Sequence, residues 1–220
     1  ANDGFGPSAA YLGDLENDGA TDLAISLPGS DIGGTDRGAV LIMSVTTTGT
    51  VSHTQTVGNS VLTLGNGDAI ASGIAWLGDL DGDGGATQEI AIGNWNSDIS
   101  IFNAGAVHIV SLTTDGLATA TERLVVSAGL NGGDATAIVA SSVFGRSVAW
   151  FGNSIAKDGV TPSMVVGATA GAGSVQIYSL PDLAVVGVPV AAIVAVADPV
   201  GSLGAISSAM EGVHVYPVVP

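Results

Sequence analysis

The chain has 220 residues, 46% of them hydrophobic, which is material for one domain with a sizeable core and excludes a disordered chain. Twenty acidic residues against four basic ones leave a formal net charge of −16, which repels phosphate backbones and anionic headgroups and argues against nucleic acid and membrane insertion. The absence of cysteine excludes disulfides, thiolate chemistry and cysteine-ligated zinc. The 33 glycines, the richness in Val, Ile, Ala and Thr, and the frequent turn signals predict many short strands and no helix, an all-β chain.

A first strand is expected over residues 5–12. The stretch Gly13-Asp14-Leu15-Glu16-Asn17-Asp18-Gly19-Ala20-Thr21-Asp22 follows it. Counted from Asp14, carboxylates fall at positions 1, 3, 5 and 9, so alternate side chains of a tightly curled segment point at one spot. Clustered carboxylates repel one another unless a cation sits among them, and a hard divalent ion with many oxygen ligands, Ca2+, is the natural occupant. Gly19 stands at position 6, where the calcium loop D-x-[DN]-x-[DN]-G turns sharply and a Cβ would obstruct it; Ala20 at position 7 would offer its carbonyl. Strands are then expected at 23–26 and 39–44, separated by a polar loop at 27–37, with a fourth strand within 51–64. This first unit covers residues 1–64.

Asn66-Gly67-Asp68 turns the chain into a second unit, 65–133, with strands near 72–77, 89–93, 106–112 and 119–127. Trp76-Leu77-Gly78-Asp79-Leu80-Asp81-Gly82-Asp83-Gly84 repeats Tyr11 to Gly19. Asp79, Asp81 and Asp83 match the first loop, but two extra residues leave its closure open between Thr87 and Glu89. A third unit, 134–189, opens at Phe144-Gly145, with strands near 146–151, 163–167, 174–180 and 183–188. Its loop positions read Asn153, Ile155 and Lys157, so it is expected to hold no ion, Lys157 replacing the ion's charge. The apolar stretch from Leu183 to Ala197 is shorter than the roughly 20 residues of a spanning helix and contains Gly187 and Pro189, which points to two buried strands. Residues 190–220 read as a degenerate partial fourth unit, with a first strand at 191–197, apolar runs at 204–207 and 212–216, and no cation loop.

Three units with loop, apolar run and glycine-led strand in the same order make this a repeat protein. The pattern Phe-Gly-x-Ser-(apolar)-Ala-x-(apolar)-Gly-Asp-Leu-x-x-Asp-Gly-x-x-Asp-Leu-Ala-Ile resembles the FG-GAP repeat of the integrin α-subunit β-propeller. The resemblance covers residues 5–44, 70–111 and 144–179. It implies β-propeller-type blades, three recognisable four-stranded repeats plus the degenerate partial fourth. It also implies calcium held between a blade's first two strands by Asp14, Glu16, Asp18, the Ala20 carbonyl and Asp22. Glu16 departs from the family's usual Asn or Asp but keeps an oxygen donor. The family's propellers generally have seven blades, so three and a fraction imply end-to-end association within a larger polypeptide or between subunits, because an open run exposes an apolar face at each end.

Tyr11, Trp76 and Trp150 share one repeat position and are expected to stack between units as core, with a carbohydrate platform as the rival reading. Trp95, in the polar segment Gly93 to Asp98, is the candidate ligand-contact residue. His53, His108 and His214 read as strand-face residues. No nucleophile elbow, Ser-His-Asp arrangement or metalloprotease helix is present, so no enzyme is expected. The expectation is an extracellular or cell-surface, calcium-stabilised protein of adhesion or assembly, its partner another protein, further copies of itself, or a glycan. Weak calcium sites fill where the ion is millimolar, outside cells. The rivals are a self-associating subunit of a filament or surface lattice and a module of a secreted polysaccharide-acting enzyme.

Overall fold

The computed structural model describes residues 3–114, 120–128, 138, 140–152, 163–168, 174–179 and 191–197. Among these there is no helix, and twelve strands form three antiparallel four-stranded sheets. Sheet 1 holds β1 (Ala9–Gly13), β2 (Thr21–Leu27), β3 (Ala39–Val45) and β4 (Val51–Val57). Sheet 2 holds β5 (Ile74–Gly78), β6 (Thr87–Asn94), β7 (Ala106–Thr113) and β8 (Ala120–Ser127). Sheet 3 holds β9 (Ser147–Gly152), β10 (Ser163–Ala168), β11 (Ser174–Ser179) and β12 (Ala191–Ala197). Strand order equals chain order in each, so every sheet is a meander.

Register shows how alike the three are. In each, the residue before the last of the first strand is left unpaired by a bulge: Tyr11 pairs Leu23 and Gly13 pairs Asp22, Trp76 pairs Ile90 and Gly78 pairs Glu89, Trp150 pairs Met164 and Gly152 pairs Ser163. A second bulge interrupts the pairing of the third and fourth strands at Ile42/Met43, Ile109/Val110 and Ile177/Tyr178. The last of these corrects the expected place of Ala191–Ala197. It pairs with β11 as the fourth strand of sheet 3, where a first strand of a further unit was expected. Seven consecutive Ala, Ile and Val residues suit either place, and only the register decides. The expected strand at 183–188, the loop positions Asn153, Ile155 and Lys157, and the runs at 204–207 and 212–216 lie outside the described residues.

The sheets stack through their inner strands, β5 lying against β1 on one side and β9 on the other. Sheet 2 is buried on both faces. Ile90, Ile92, Val110 and Leu112 join Leu12, Ala24, Val40 and Ile42 of sheet 1 in one cluster. Ala75, Leu77, Ala91, Val107 and Ile109, on the opposite face, join Met164, Val166 and Tyr178 of sheet 3 in another. Phe144 fills the second cluster beside Tyr178, their rings meeting edge to face at 5.8 Å between centroids. A polar row crosses sheet 2 as well. The amide nitrogen of Asn94 reaches Asp68 Oδ2 and His108 Nε2, each at 3.2 Å, and His108 Nδ1 meets Glu122 Oε1. The donated amide leaves Nε2 as acceptor and places the imidazole proton on Nδ1, toward Glu122. His108 is a strand-face residue as expected, and fully buried.

Backbone crosses backbone closely between the sheets. Phe144 N–H donates to the Ala104 carbonyl at 3.0 Å, and a Cβ on Gly105 would lie 2.0 Å from the Phe144 carbonyl oxygen. Gly105 also holds φ at +89°. Gly49 has nearly the same φ, +82°, with nothing near its missing Cβ. Gly49→Ala is therefore expected to cost about 1–2 kcal/mol for the left-handed backbone alone. Gly105→Ala should cost clearly more, on the order of 3 kcal/mol or above, because the sheets must also part. Urea unfolding midpoints of the two variants check this, and equal losses would show that the crossing is soft.

Candidate metal centre

The two acidic loops join the first two strands of sheets 1 and 2, and their backbones follow the same path. Left-handed φ recurs at Gly13 and Gly78, Asn17 and Gly82, and Gly19 and Gly84. The second loop takes up its two extra residues at Gly85 (φ +86°) and Ala86, before β6 begins at Thr87. Strand pairing then fixes which acids correspond. Asp22 pairs Gly13 and Ser44; Glu89 pairs Gly78 and Ser111. Glu89 is thus the register equivalent of Asp22, and Thr87 the equivalent of Ala20.

The hydrogen bonds repeat this equivalence. Asp22 Oδ2 accepts the Leu15 N–H at 2.7 Å, and Glu89 Oε2 accepts the Leu80 N–H at 2.7 Å. Each acid also stands opposite a serine of the third strand, Ser44 for Asp22 and Ser111 for Glu89, and Ser111 donates its hydroxyl to Glu89 Oε1 at 2.7 Å. These serines were not picked out as site residues from the sequence. They lie more than twenty residues from the acids they face, and only the ladder brings them together. Asp14 accepts the N–H groups of Asp18 and Gly19, each at 2.9 Å, and Asp79 accepts that of Asp83 at 3.2 Å. Asp18 Oδ1 accepts the Ala20 N–H at 2.7 Å, while Asp83 accepts the N–H and hydroxyl of Thr87.

In the second loop, oxygens of Asp79, Asp81 and Glu89 lie within 4.8 Å of one another, the single such acidic group among the described residues. Of the two residues left open by sequence for closing this loop, Glu89 is the one that stands with Asp79 and Asp81. Thr87 turns its hydroxyl to Asp83 and Glu89 at 3.1 and 3.2 Å, and Asp83 caps the turn outside the triad. Arg123 Nη2 reaches Asp81 Oδ2 at 3.5 Å from β8. In the first loop Asp14, Glu16, Asp18 and Asp22 are not drawn together to that degree. There Asp22 is completely buried and its Oδ1 has no hydrogen-bond partner. A buried, orphaned carboxylate oxygen is costly, and a cation is the partner that would satisfy it. The oxygens of Asp79, Asp81 and Glu89 could together hold a hard cation such as calcium, and in the other loop the orphaned Asp22 Oδ1 is the atom that would take one.

Electrostatics point the same way. Burial raises the Asp22 carboxyl above the usual aspartate range and the charges of Asp18 and Asp14 add to it, against the hydrogen bonds from Leu15 and Ser44. Burial likewise raises Glu89, with Asp81 adding to it, against the bonds from Ser111, Leu80 and Thr87. Glu16 is raised by burial and then by Asp22, Asp18 and Asp14. For the exposed Asp83 a small desolvation is outweighed by the hydrogen bonds of Thr87, Ala86 and Gly85, which lower it.

The remaining expected residues lie elsewhere. Trp95 follows β6, half-buried, with the Arg146 guanidinium 5.2 Å above its ring, so one face of this contact candidate is already covered. Its neighbour Asn96 is tied to the Gly67 carbonyl. Phe102, 66% exposed in the same connection, presents more ring to solvent. Tyr11, Trp76 and Trp150, expected as core between units, are 61, 37 and 37% exposed. They sit on the first strand of each sheet, where Leu12, Ala75 and Leu77 are buried while these rings keep part of their surface in solvent.

No protein-family model matches the sequence, and no curated protein is significantly similar to it. The FG-GAP resemblance therefore stands on the motifs themselves.

Glu16, Asp22 and Glu89 bind protons more tightly in the fold than in the unfolded chain, so without an ion they favour folding at acid pH and lose that contribution as pH rises through their raised values. Asp83 works in the opposite sense. In chelator, the melting temperature is expected to rise as pH is lowered from neutral toward the carboxylate range. If these acids take calcium, saturating the chain with it should flatten the trend, because ion and protons would compete for the same oxygens. A melting temperature in chelator that falls steadily on acidification would contradict the assignment.

Proposed function

We propose that this chain is an extracellular, calcium-stabilised repeat protein of the FG-GAP type, in which each four-stranded meander is one propeller-type blade, and that it acts by adhesion or assembly without catalysis. The observation that carries the reading is the pair of equivalent loops, each closed by a buried acid that accepts a loop N–H and stands opposite a third-strand serine. Four carboxylates on so short a segment have no use for one another; with an ion between them they join the first two strands of a blade into one rigid corner. The ions' work on this reading is mechanical, and the surface that meets a partner is built from the connections at 27–37 and 94–104, where Ile32, Ile99 and Phe102 are exposed.

Calcium at 100 times its dissociation constant adds about 2.7 kcal/mol per site. For a chain of this size that is a rise of roughly 5–10 °C in melting temperature. Titration calorimetry should find two calcium ions per chain, and Glu89→Gln or Asp22→Asn should each remove one of them together with its share of the thermal shift. An unchanged melting temperature in calcium and chelator, with no heat of binding, would remove the reading.

A further inference from the structure

The three sheets allow a comparison position by position. Each sheet has an incoming face, which in sheets 2 and 3 packs on the sheet before, and an outgoing face, which in sheets 1 and 2 packs on the sheet after. On the incoming face the row Tyr11–Leu23–Met43 of sheet 1 matches Trp76–Ile90–Val110 of sheet 2 and Trp150–Met164–Tyr178 of sheet 3 in cross-strand pairing. Ile90, Val110, Met164 and Tyr178 are fully buried, whereas Leu23 and Met43 are only half-buried. Leu41 and Ile25, paired in the next row, are half-buried too. Their equivalents Ile92 and His108 are completely covered. The residue that plugs into the preceding sheet tells the same story: Ile70 and Phe144 are 0% exposed, and Phe5, at the same repeat position, is 63% exposed.

The outgoing face shows the reverse. Val40 and Val107 are 0% exposed, and Val175, their equivalent in sheet 3, is 42% exposed. Among the described residues the two open surfaces therefore lie at opposite ends of the series and are unlike. The described structure itself shows twice what an outgoing face packs against: an incoming face of this repeat. Isolated apolar side chains on a surface are ordinary, but a paired apolar row beside an unplugged phenylalanine marks an interface.

We propose that the incoming face of sheet 1 is covered by the outgoing face of sheet 3 of a second copy of this chain, Phe5 taking between copies the place that Ile70 and Phe144 take within one. Both complementary faces are present on each chain, so the contact is heterologous, and copies add head to tail. The partner so named deepens the assembly reading above. It depends on the three sheets being members of one stacking series and not on bound calcium.

The variants Phe5→Glu and Val175→Glu each place a charge on one open face at a position already exposed to solvent, and circular dichroism verifies that both remain folded. The unaltered chain is expected to grow in mass with concentration by light scattering, while each variant alone stays at its 21.4 kDa monomer mass. Mixed in equal amounts, the two variants should form a dimer of twice that mass and stop, since the intact incoming face of one meets the intact outgoing face of the other. Association of Val175→Glu alone, with none for Phe5→Glu and no rescue on mixing, would mean sheet 1 pairs with sheet 1 and would overturn the proposal. So would an unaltered chain that stays monomeric at every concentration. Repeating the series in calcium and in chelator, with melting temperatures alongside, separates this outcome from that of the calcium reading: masses report the faces, melting reports the ions.

Discussion

A β-sheet whose strands are apolar on both faces has to be covered twice, and most of what this chain does follows from that requirement. β7, Ala106–Thr113, is buried along all but its last residue because sheets 1 and 3 close on it from either side. β3, Ala39–Val45, is equally apolar in sequence but has half-buried residues at alternate positions. The difference is neighbourhood and not composition. At roughly 25 cal/mol per Å2 of apolar surface removed from water, covering such a face is the dominant favourable contribution the fold can gain. Backbone hydrogen bonds add to the stacking only at single crossings, such as Phe144 N–H to the Ala104 carbonyl.

The acidic loops answer a different problem, the sharp connection between the first two strands. A chain with net charge −16 places several like charges in two short turns, and the cost is contained by aiming backbone N–H groups at them: Leu15, Asp18, Gly19 and Ala20 in one loop, Leu80, Asp83, Gly85 and Thr87 in the other. Those bonds hold the carboxylates in place without neutralising them. Ser44 and Ser111 extend the arrangement to the third strand, so each loop is anchored to the middle of its sheet.

Much of this was legible in the residues. Glycine-led strands, acids at alternate positions and the recurring Tyr or Trp before Leu-Gly-Asp or Phe-Gly-Asn located three units and eleven of their strands, because turn chemistry and period-two patterning are local properties. What was not legible depends on pairing across the ladder. The choice between Thr87 and Glu89 could not be read from spacing, since a two-residue insertion shifts the count but not the register. Ala191–Ala197 carries no side chain that distinguishes a first strand from a fourth. The aromatic ring before each loop looks like core in a sequence, yet in the fold it keeps more than a third of its surface in solvent.

The bulges carry a further consequence. All three sheets have them at the same two places, after Tyr11, Trp76 and Trp150 and between the equivalents of Ile42 and Met43. A bulge adds a set increment of right-handed twist to its strand. Each sheet thus carries the same local departure from regular pairing at the same two places. A substitution that fits the bulged backbone in one sheet therefore meets the same local twist at the equivalent position of the other two.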